Sequence, residues 1–357
     1  MTKNGIAVRE KRMWMGLAGG LLLVLIIAFV CGPRTPLDTT LRTVELPDDL
    51  DAYLTDSESR FDDILPGVEK TIVWAGERGV KSEFSLVYFH GFSATRQEIA
   101  PLCDRLAAEL GANLYYPRLP GHGRSAEAMG QSGVNDWLNA GHEALEIGRQ
   151  MGERVILIGT STGATLATWL AANVPEPQLA ALVLLSPNFR PANRAASWVL
   201  LPWGQHLAEW AIGPTRSWEP QNDRQARLWH TTYPTRALSA MMGLVRVTVK
   251  SDLHRIQTPT LVVYSPRDQV VSPQAIESTF QRMGPSKKLV PFHDSADRTQ
   301  HVLAGDIISP TSTDALLALM MDFLQATSII ETAPTAEQPR PEQVKIGQRD
   351  LPRRPGG

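Results

Sequence analysis

RVILIGTSTGATLATWLAAN, residues 154–173, decides the fold. Val155, Ile156, Leu157 and Ile158 run without polar alternation into Gly159, the pattern of a strand buried on both faces. Past Gly163, small and apolar residues continue with no further glycine or proline until Asn173-Val174-Pro175, which predicts a helix from Thr162 and its stop. Between the two lies Gly159-Thr160-Ser161-Thr162-Gly163, a G-x-S-x-G. On so tight a strand-to-helix turn the residues two before and two after the serine must be nearly free of side chain, and the turn lifts the Ser161 hydroxyl above the sheet edge. The N-terminal amides of the following helix favour negative charge developing there. G-x-S-x-G alone recurs by chance in unrelated chains; its place at this junction is what points to a nucleophile.

Outward from that stretch, short apolar segments alternate with helical ones. Strands are expected at Ile72–Trp74, Ser85–Phe89, Asn113–Tyr116, Ala181–Leu185, Leu261–Tyr264 and Leu289–Phe292. Helices are expected from about Thr95 to Leu110, from Trp137 to Met151 and from Thr313 to Gln325. The alternation implies right-handed crossovers and an α/β fold with a mostly parallel, doubly wound sheet. Residues 189–257 interrupt it: they hold no convincing strand but five of the nine tryptophans, Trp198, Trp203, Trp210, Trp218 and Trp229. They read as a helical cap insertion over the strand ends. Some of these tryptophans pack the insert onto the sheet; beyond that, they suit a lid over an apolar pocket or one touching a membrane interface.

A serine hydroxyl needs a base within hydrogen-bond reach and a carboxylate to orient it, and both must come from loops at the carboxyl ends of later strands. Asp268, in PRDQVV after the Leu261 strand, and His301, in RTQHVLAGD after the Leu289 strand, meet that condition. Asp252, Asp294, Asp297 and Asp306 compete for the acid role, and His293 stands at a strand end. The oxyanion donors are expected to be the backbone N–H groups of Thr162 and of Phe92, in the loop after the Phe89 strand. His90 fits a loop-shaping role better than a basic one. His122, within Pro120-Gly121-His122-Gly123-Arg124-Ser125, reads as part of a turn under the site. No His or Cys spacing implies a metal, and nothing calls for a cofactor.

The chain has 357 residues and a net charge of −2, which gives no reason to expect nucleic acid. Its two cysteines, Cys31 and Cys103, make no disulfide framework. Lys3, Arg9, Lys11 and Arg12 precede Met13–Cys31, nineteen uncharged residues rich in Leu, Ile and Val. That is close to the roughly 20 residues that cross a bilayer as a helix, with the positive side cytoplasmic. The segment therefore reads as an uncleaved signal anchor, with the rest of the chain exported. Cleavage competes, but a signal peptide's apolar region is shorter, about 7 to 15 residues, and ends in small residues; lipidation of Cys31 competes too, although large residues precede it. Residues 32–69 read as a linker carrying the acidic run DDLDAYLTDSESRFDD, expected as a solvated short helix. The tail, residues 328–357, rich in Pro, Glu, Gln and Arg, is expected to be disordered. Residues 70–327 are expected to form the α/β domain, with the cap insertion at about 189–257.

Taken together, HGF at 90–92, PGHGRS at 120–125, GTSTG at 159–163, PRD at 266–268 and QH at 300–301 resemble the α/β-hydrolase superfamily. The chain is most similar to its carboxylesterase, monoacylglycerol lipase and serine aminopeptidase-like group, over residues 70–327. The order Ser, Asp, His along the chain is that superfamily's order. The resemblance implies Ser161 as nucleophile, His301 as base, Asp268 as its orienter, and Phe92 and Thr162 as oxyanion donors. Two departures stand out: related esterases often carry a bulky residue where Thr162 stands, and many have a further glycine where Ala164 stands. Dehalogenases and epoxide hydrolases resemble the fold but carry Asp at the position of Ser161.

The expected function is that of a membrane-anchored, exported serine hydrolase acting on acyl or lipid-like carboxylic esters, with the apolar cap favouring such substrates over charged ones. The nearest alternative is an aminopeptidase-like amide hydrolase in which Glu209 or Glu219 of the cap holds a free amine. A different class is a non-catalytic anchored scaffold that binds a partner through its tail; an intact Ser, Asp and His set speaks against it.

Overall fold

The computed structural model describes residues 3–331, with side chains from Met13 onward. Its centre is a seven-stranded sheet. The strands in chain order are β1 (Thr71–Val73), β2 (Ser82–Phe89), β3 (Asn113–Tyr116), β4 (Gly152–Thr160), β5 (Leu179–Leu185), then, after a separate β6–β7 hairpin (Thr215–Ser217 and Thr232–Pro234), β8 (Thr260–Tyr264) and β9 (Lys287–Pro291). The sheet order is β1-β3-β2-β4-β5-β8-β9. Only β1 runs antiparallel to its neighbour.

The apolar run of β4 is buried on both faces, as its lack of alternation requires. Val155 and Leu157 enter one core with Val87, Phe89, Leu182, Leu184 and Val262. Ile156 and Ile158 enter the opposite core with Leu86, Tyr88, Val183, Leu185 and Leu261. Helices cover both faces. In chain order they are α1 (Lys3–Val30), α2 (Leu50–Ser59), α3 (Leu102–Leu110), α4 (Ala126–Met129), α5 (Val134–Met151), α6 (Thr162–Asn173), α7 (Gly204–Ile212), α8 (Asp223–Leu228), α9 (Ala237–Lys250), α10 (Pro273–Gln281) and α11 (Thr313–Ala326). Residues of α5, α6, α9 and α10 pack on the first face, those of α3 and α11 on the second.

Three stretches differ from the sequence reading. The helix expected over 95–110 is broken into a 3-10 turn, Arg96–Glu98, and α3, because Pro101 has no N–H to continue the ladder. Within 189–257 the β6–β7 hairpin has no counterpart in that reading; three-residue strands, one ending in Pro234, carry no periodicity. The acidic run does form a short helix, α2, N-capped by Asp49, but it is not merely solvated. Leu50 and Leu54 enter the first core, and Glu58 is buried against Arg118, whose Nε and Nη2 donate to its two oxygens at 2.8 and 2.7 Å.

At the other end, Ile329 is buried and accepts a hydrogen bond from Arg154, so the chain is still packed there; the expected disorder of residues 332–357 lies outside the described residues. In α1, Met13–Val30 has a mean hydropathy of 2.5 and no buried residue, which is long and apolar enough to cross a membrane. A helix apolar on all sides has no polar face to give to water.

Candidate active site

The turn from β4 to α6 sets the geometry. A β-carbon at Gly163 would run into the Phe89 carbonyl oxygen, and one at Gly159 would lie 2.6 Å from Ala164. Only glycine fits at either place, so the strand can fold back into the helix within one residue. That residue is Ser161, held at φ 53°, ψ −116°, a strained conformation for a side chain larger than glycine's. Its N–H donates to the Leu185 carbonyl (2.9 Å), and its carbonyl accepts from Asn188 N–H (3.1 Å), which ties the turn to the end of β5. Ser93, Ser186 and Gln300 also have positive φ, and Ser186 Oγ donates to the His301 carbonyl at 2.7 Å. Of the six non-glycine residues with positive φ among the described residues, Ser161, Ser93, Ser186 and Gln300 thus fall on the turn or on the loops that carry Phe92 and His301 or follow β5.

Asp268 and His301 come together. His301 Nδ1 and Asp268 Oδ2 are 2.7 Å apart, both residues being buried. The other Asp268 oxygen accepts N–H groups from Val270 (2.8 Å) and Val271 (2.9 Å), so the carboxylate has no freedom to turn away. Burial pushes the His301 pKa down, but the carboxylates of Asp268, Glu98 and Asp297 outweigh it, and the net shift is upward.

Among the rival acids, Asp297 has a different task. Its Oδ2 accepts the N–H groups of His301 and Val302, both at 2.9 Å, and its Oδ1 accepts Gln221 Nε2 at 2.6 Å. It shapes the loop that carries the histidine and ties it to the insertion. Asp252, Asp294 and Asp306 are exposed, and so is His293. Of the cap carboxylates, Glu209 meets Gln205 (3.4 Å) and Glu219 is exposed; neither bonds to Ser161, Asp268 or His301.

Gly91 N–H is occupied by Glu98 Oε2 (2.8 Å), whereas the N–H groups of Phe92 and Thr162 make no hydrogen bond among the described residues. Thr162 opens α6, so its N–H has no carbonyl inside the helix to meet. The Phe92 ring is wedged edge-on against Tyr233 (5.1 Å) and Trp137 (6.2 Å), which fixes the loop. His90 uses both ring nitrogens: Nδ1 donates to the Gly91 carbonyl (2.9 Å) and Nε2 accepts Leu119 N–H (3.2 Å). Burial pushes its pKa down to about 4, and the ring stays neutral. It holds the loop and has no lone pair left for a proton. His122 lies beside it, its ring tilted and the centroids 4.8 Å apart, buried and likewise held neutral.

Glu98 escaped the sequence reading. RQE at 96–98 falls in the helix expected over 95–110, where nothing marks Glu98 as buried, yet the carboxyl is buried, and burial raises its pKa. Oε2 accepts from Gly91 N–H and from Tyr88 O–H (3.0 Å). A β-carbon at Gly91 would lie 2.7 Å from Glu98 Oε1 and 3.3 Å from Ser161 Cβ, so both side chains press on one glycine. No composition or periodicity signal marks such a residue; its partners, Tyr88 and Gly91, lie at the end of β2 and in the loop after it. No three His, Cys, Asp or Glu among the described residues are grouped to hold a metal ion.

A mostly parallel sheet with a serine on the turn after β4, and an acid and a histidine beyond β8 and β9, is the architecture of the α/β-hydrolases, and this chain is a serine hydrolase of that class. More narrowly, it belongs to the serine aminopeptidase family, S33, whose profile matches residues 81–296. That match spans Ser161 and Asp268 and ends before His301. The thermostable monoacylglycerol lipase of Bacillus sp. (strain H-257) is 27% identical over 227 residues, 63% of this chain and 84% of the relative. Among solved structures, one from the metagenome-derived lipolytic enzymes LipS and LipT gives a TM-score of 0.61 at 21% identity, covering 74% of this chain and 99% of that one. A soluble variant of the Saccharomyces cerevisiae monoglyceride lipase gives 0.55 at 13% identity, covering 74% and 97%. At these identities the solved structures speak for the fold.

Proposed function

We propose that this chain is a membrane-anchored hydrolase of carboxylic esters with acyl or lipid-like substrates, working through Ser161, His301 and Asp268. Ser161 Oγ attacks the ester carbonyl carbon as His301 Nε2 takes its proton; Asp268, bonded to Nδ1, fixes the tautomer that leaves Nε2 free and steadies the imidazolium. The carbonyl oxygen becomes an oxyanion between the N–H groups of Phe92 and Thr162, each such donor being worth about 10²- to 10³-fold in rate. Collapse breaks the ester C–O bond, and the alcohol leaves with the proton from His301. Water then attacks the acyl-enzyme, His301 takes its proton, and the acid is released with Ser161 restored. The observation that carries the reading is the buried Asp268–His301 pair at 2.7 Å, held from both sides, on the sheet edge that carries the strained Ser161.

Lipid-like esters are supported by the monoacylglycerol lipase relative and by the apolar insertion next to Phe92. The anchor and its sidedness rest on Met13–Val30 and on the Lys and Arg that precede it, which favour a cytoplasmic N-terminus and an exported catalytic domain. The test is turnover by the full chain in detergent of monoacylglycerols and p-nitrophenyl esters of increasing acyl length, beside an aminoacyl p-nitroanilide. Ester cleavage that rises from short to medium chains is expected. Cleavage of the anilide alone, or of acetate far faster than of medium-chain esters, would contradict the reading.

A further inference from the structure

We infer that the outer face of the insertion, formed by Trp198, Leu201, Trp203, Leu207 and Trp210, rests in the headgroup layer of the bilayer that α1 crosses; this builds on the anchor proposed above. Trp203 is the N-cap of α7, and Leu207 and Trp210 follow it within the helix at i and i+3 spacing, a stripe on one side. In a water-soluble domain that stripe would turn inward. Here it faces out: Trp210 is 86% exposed and Leu207 52%, while Gly204 is the only buried residue of the helix. Trp198, 67% exposed, stands in the preceding 3-10 helix, Arg194–Leu200, and Leu201, 45% exposed, follows it.

The end of α1 identifies what covers this face. The Trp203 indole N–H donates to the Ala28 carbonyl (2.9 Å), and Trp203 N–H donates to the Pro33 carbonyl (2.8 Å). Gly32 sits so close that a β-carbon there would run into the indole ring. Ala28 lies inside the apolar span Met13–Val30, two residues or about 3 Å before its end. A side chain that bonds to Ala28 is therefore at the depth of the membrane surface itself. The exposed stripe starts at that residue, with Leu207 and Trp210 within about 10 Å of it along the helix. Tryptophan, with an apolar body and one polar N–H, is the side chain that favours this layer. Arg34, bonded to the Val30 carbonyl, and the exposed Arg194 at the edge of the patch supply cations for phosphate headgroups.

The insertion also reaches the catalytic loop, since His230 N–H donates to the Ser93 carbonyl (2.7 Å) and Tyr233 packs on Phe92. The face turned to the bilayer and the residues beside the oxyanion loop thus belong to one short stretch of chain.

The test uses the full chain in phosphatidylcholine–phosphatidylglycerol vesicles, with Cys31→Ser, and an NBD fluorophore on a single introduced cysteine: Ala211→Cys on α7, Leu22→Cys in α1 or Glu153→Cys at the opposite end of β4. Cys103 is buried and does not react. Phospholipids with a nitroxide on the acyl chain are the quencher. An amphipathic face seated about 5 to 10 Å into the headgroup–acyl boundary lies within their reach. Quenching of roughly twofold or more is expected at 211 and at 22, with none at 153. Quenching at 22 with none at 211 would overturn this inference and leave the anchor standing. No quenching at 22 would refute the anchor, and this inference with it.

Discussion

Asp268 uses both carboxylate oxygens, one on the His301 ring and one on two backbone amides, so its replacement by the isosteric Asn keeps the shape and changes only the charge and the hydrogen-bond sense. Asp268→Asn is expected to lower kcat/KM by about 10⁴-fold, because an amide N–H facing Nδ1 selects the tautomer with the proton on the wrong nitrogen. A loss below tenfold in folded protein would remove Asp268 from the mechanism. Glu98 acts on the same histidine through space: its charge raises the His301 pKa. Without that charge the imidazolium is less favoured, its pKa falls, and the neutral base survives to lower pH. Glu98→Gln, which can still accept from Gly91 N–H and Tyr88 O–H, is therefore expected to move the acid limb of the kcat/KM profile to lower pH. A limb that stays put would mean that Glu98 is uncharged in the working enzyme and only shapes the loop. At this scale the sequence is legible where chemistry restricts residue choice, as at Ser161 in its glycine frame, Asp268 and His301. It is illegible at Glu98 and Asp297, whose roles arise from where a loop turns inward.

Strands buried on both faces announce themselves by continuous apolar runs, and β4, β5 and β8 are plain for that reason; only their ends differ. Elements defined by partners far along the chain are not plain. α2 looks like a solvated acidic helix because three of its ten residues are Asp or Glu, yet one of these, Glu58, meets Arg118 sixty positions away. Arg118 also donates to the His122 carbonyl (2.9 Å), so the pair clamps α2 to the PGHGRS loop beneath the site. Burial pushes the Glu58 pKa up, Arg118 together with the backbone N–H and charge of Lys70 more than reverses it, and the carboxyl stays charged at neutral pH. Removing one partner strands the other charge in the interior. Arg118→Ala is expected to cost about 3 to 5 kcal/mol in urea unfolding, and Glu58→Ala on top of it should recover part of that. A cost below about 1 kcal/mol would show that the pair is solvated and α2 dispensable.

For the molecule as a whole, pH sets stability through its buried imidazoles. Burial lowers the pKa of His90 and His230 from the ordinary 6.5 to about 4. Between those values the unfolded chain binds protons that the fold refuses, so their contribution is complete above pH 6.5 and is lost as pH falls toward 4. At about 1.4 kcal/mol per pKa unit, the two together are worth several kcal/mol, and thermal unfolding in detergent should show Tm falling steeply across that window. A flat Tm would mean that the two rings already reach water. The same layout ties function to place: the sheet carries the elbow and the acid–histidine pair at one edge, the insertion lies over that edge, and α1 meets the insertion at Trp203. All of it serves one claim, that Ser161 is an activated nucleophile. Labelling of the full chain with a fluorophosphonate, whose phosphorus is attacked by an activated serine with loss of fluoride, tests that directly. The account predicts rapid labelling of the folded wild type and none of Ser161→Ala; equal labelling of the two, or no labelling of folded wild type, would contradict it.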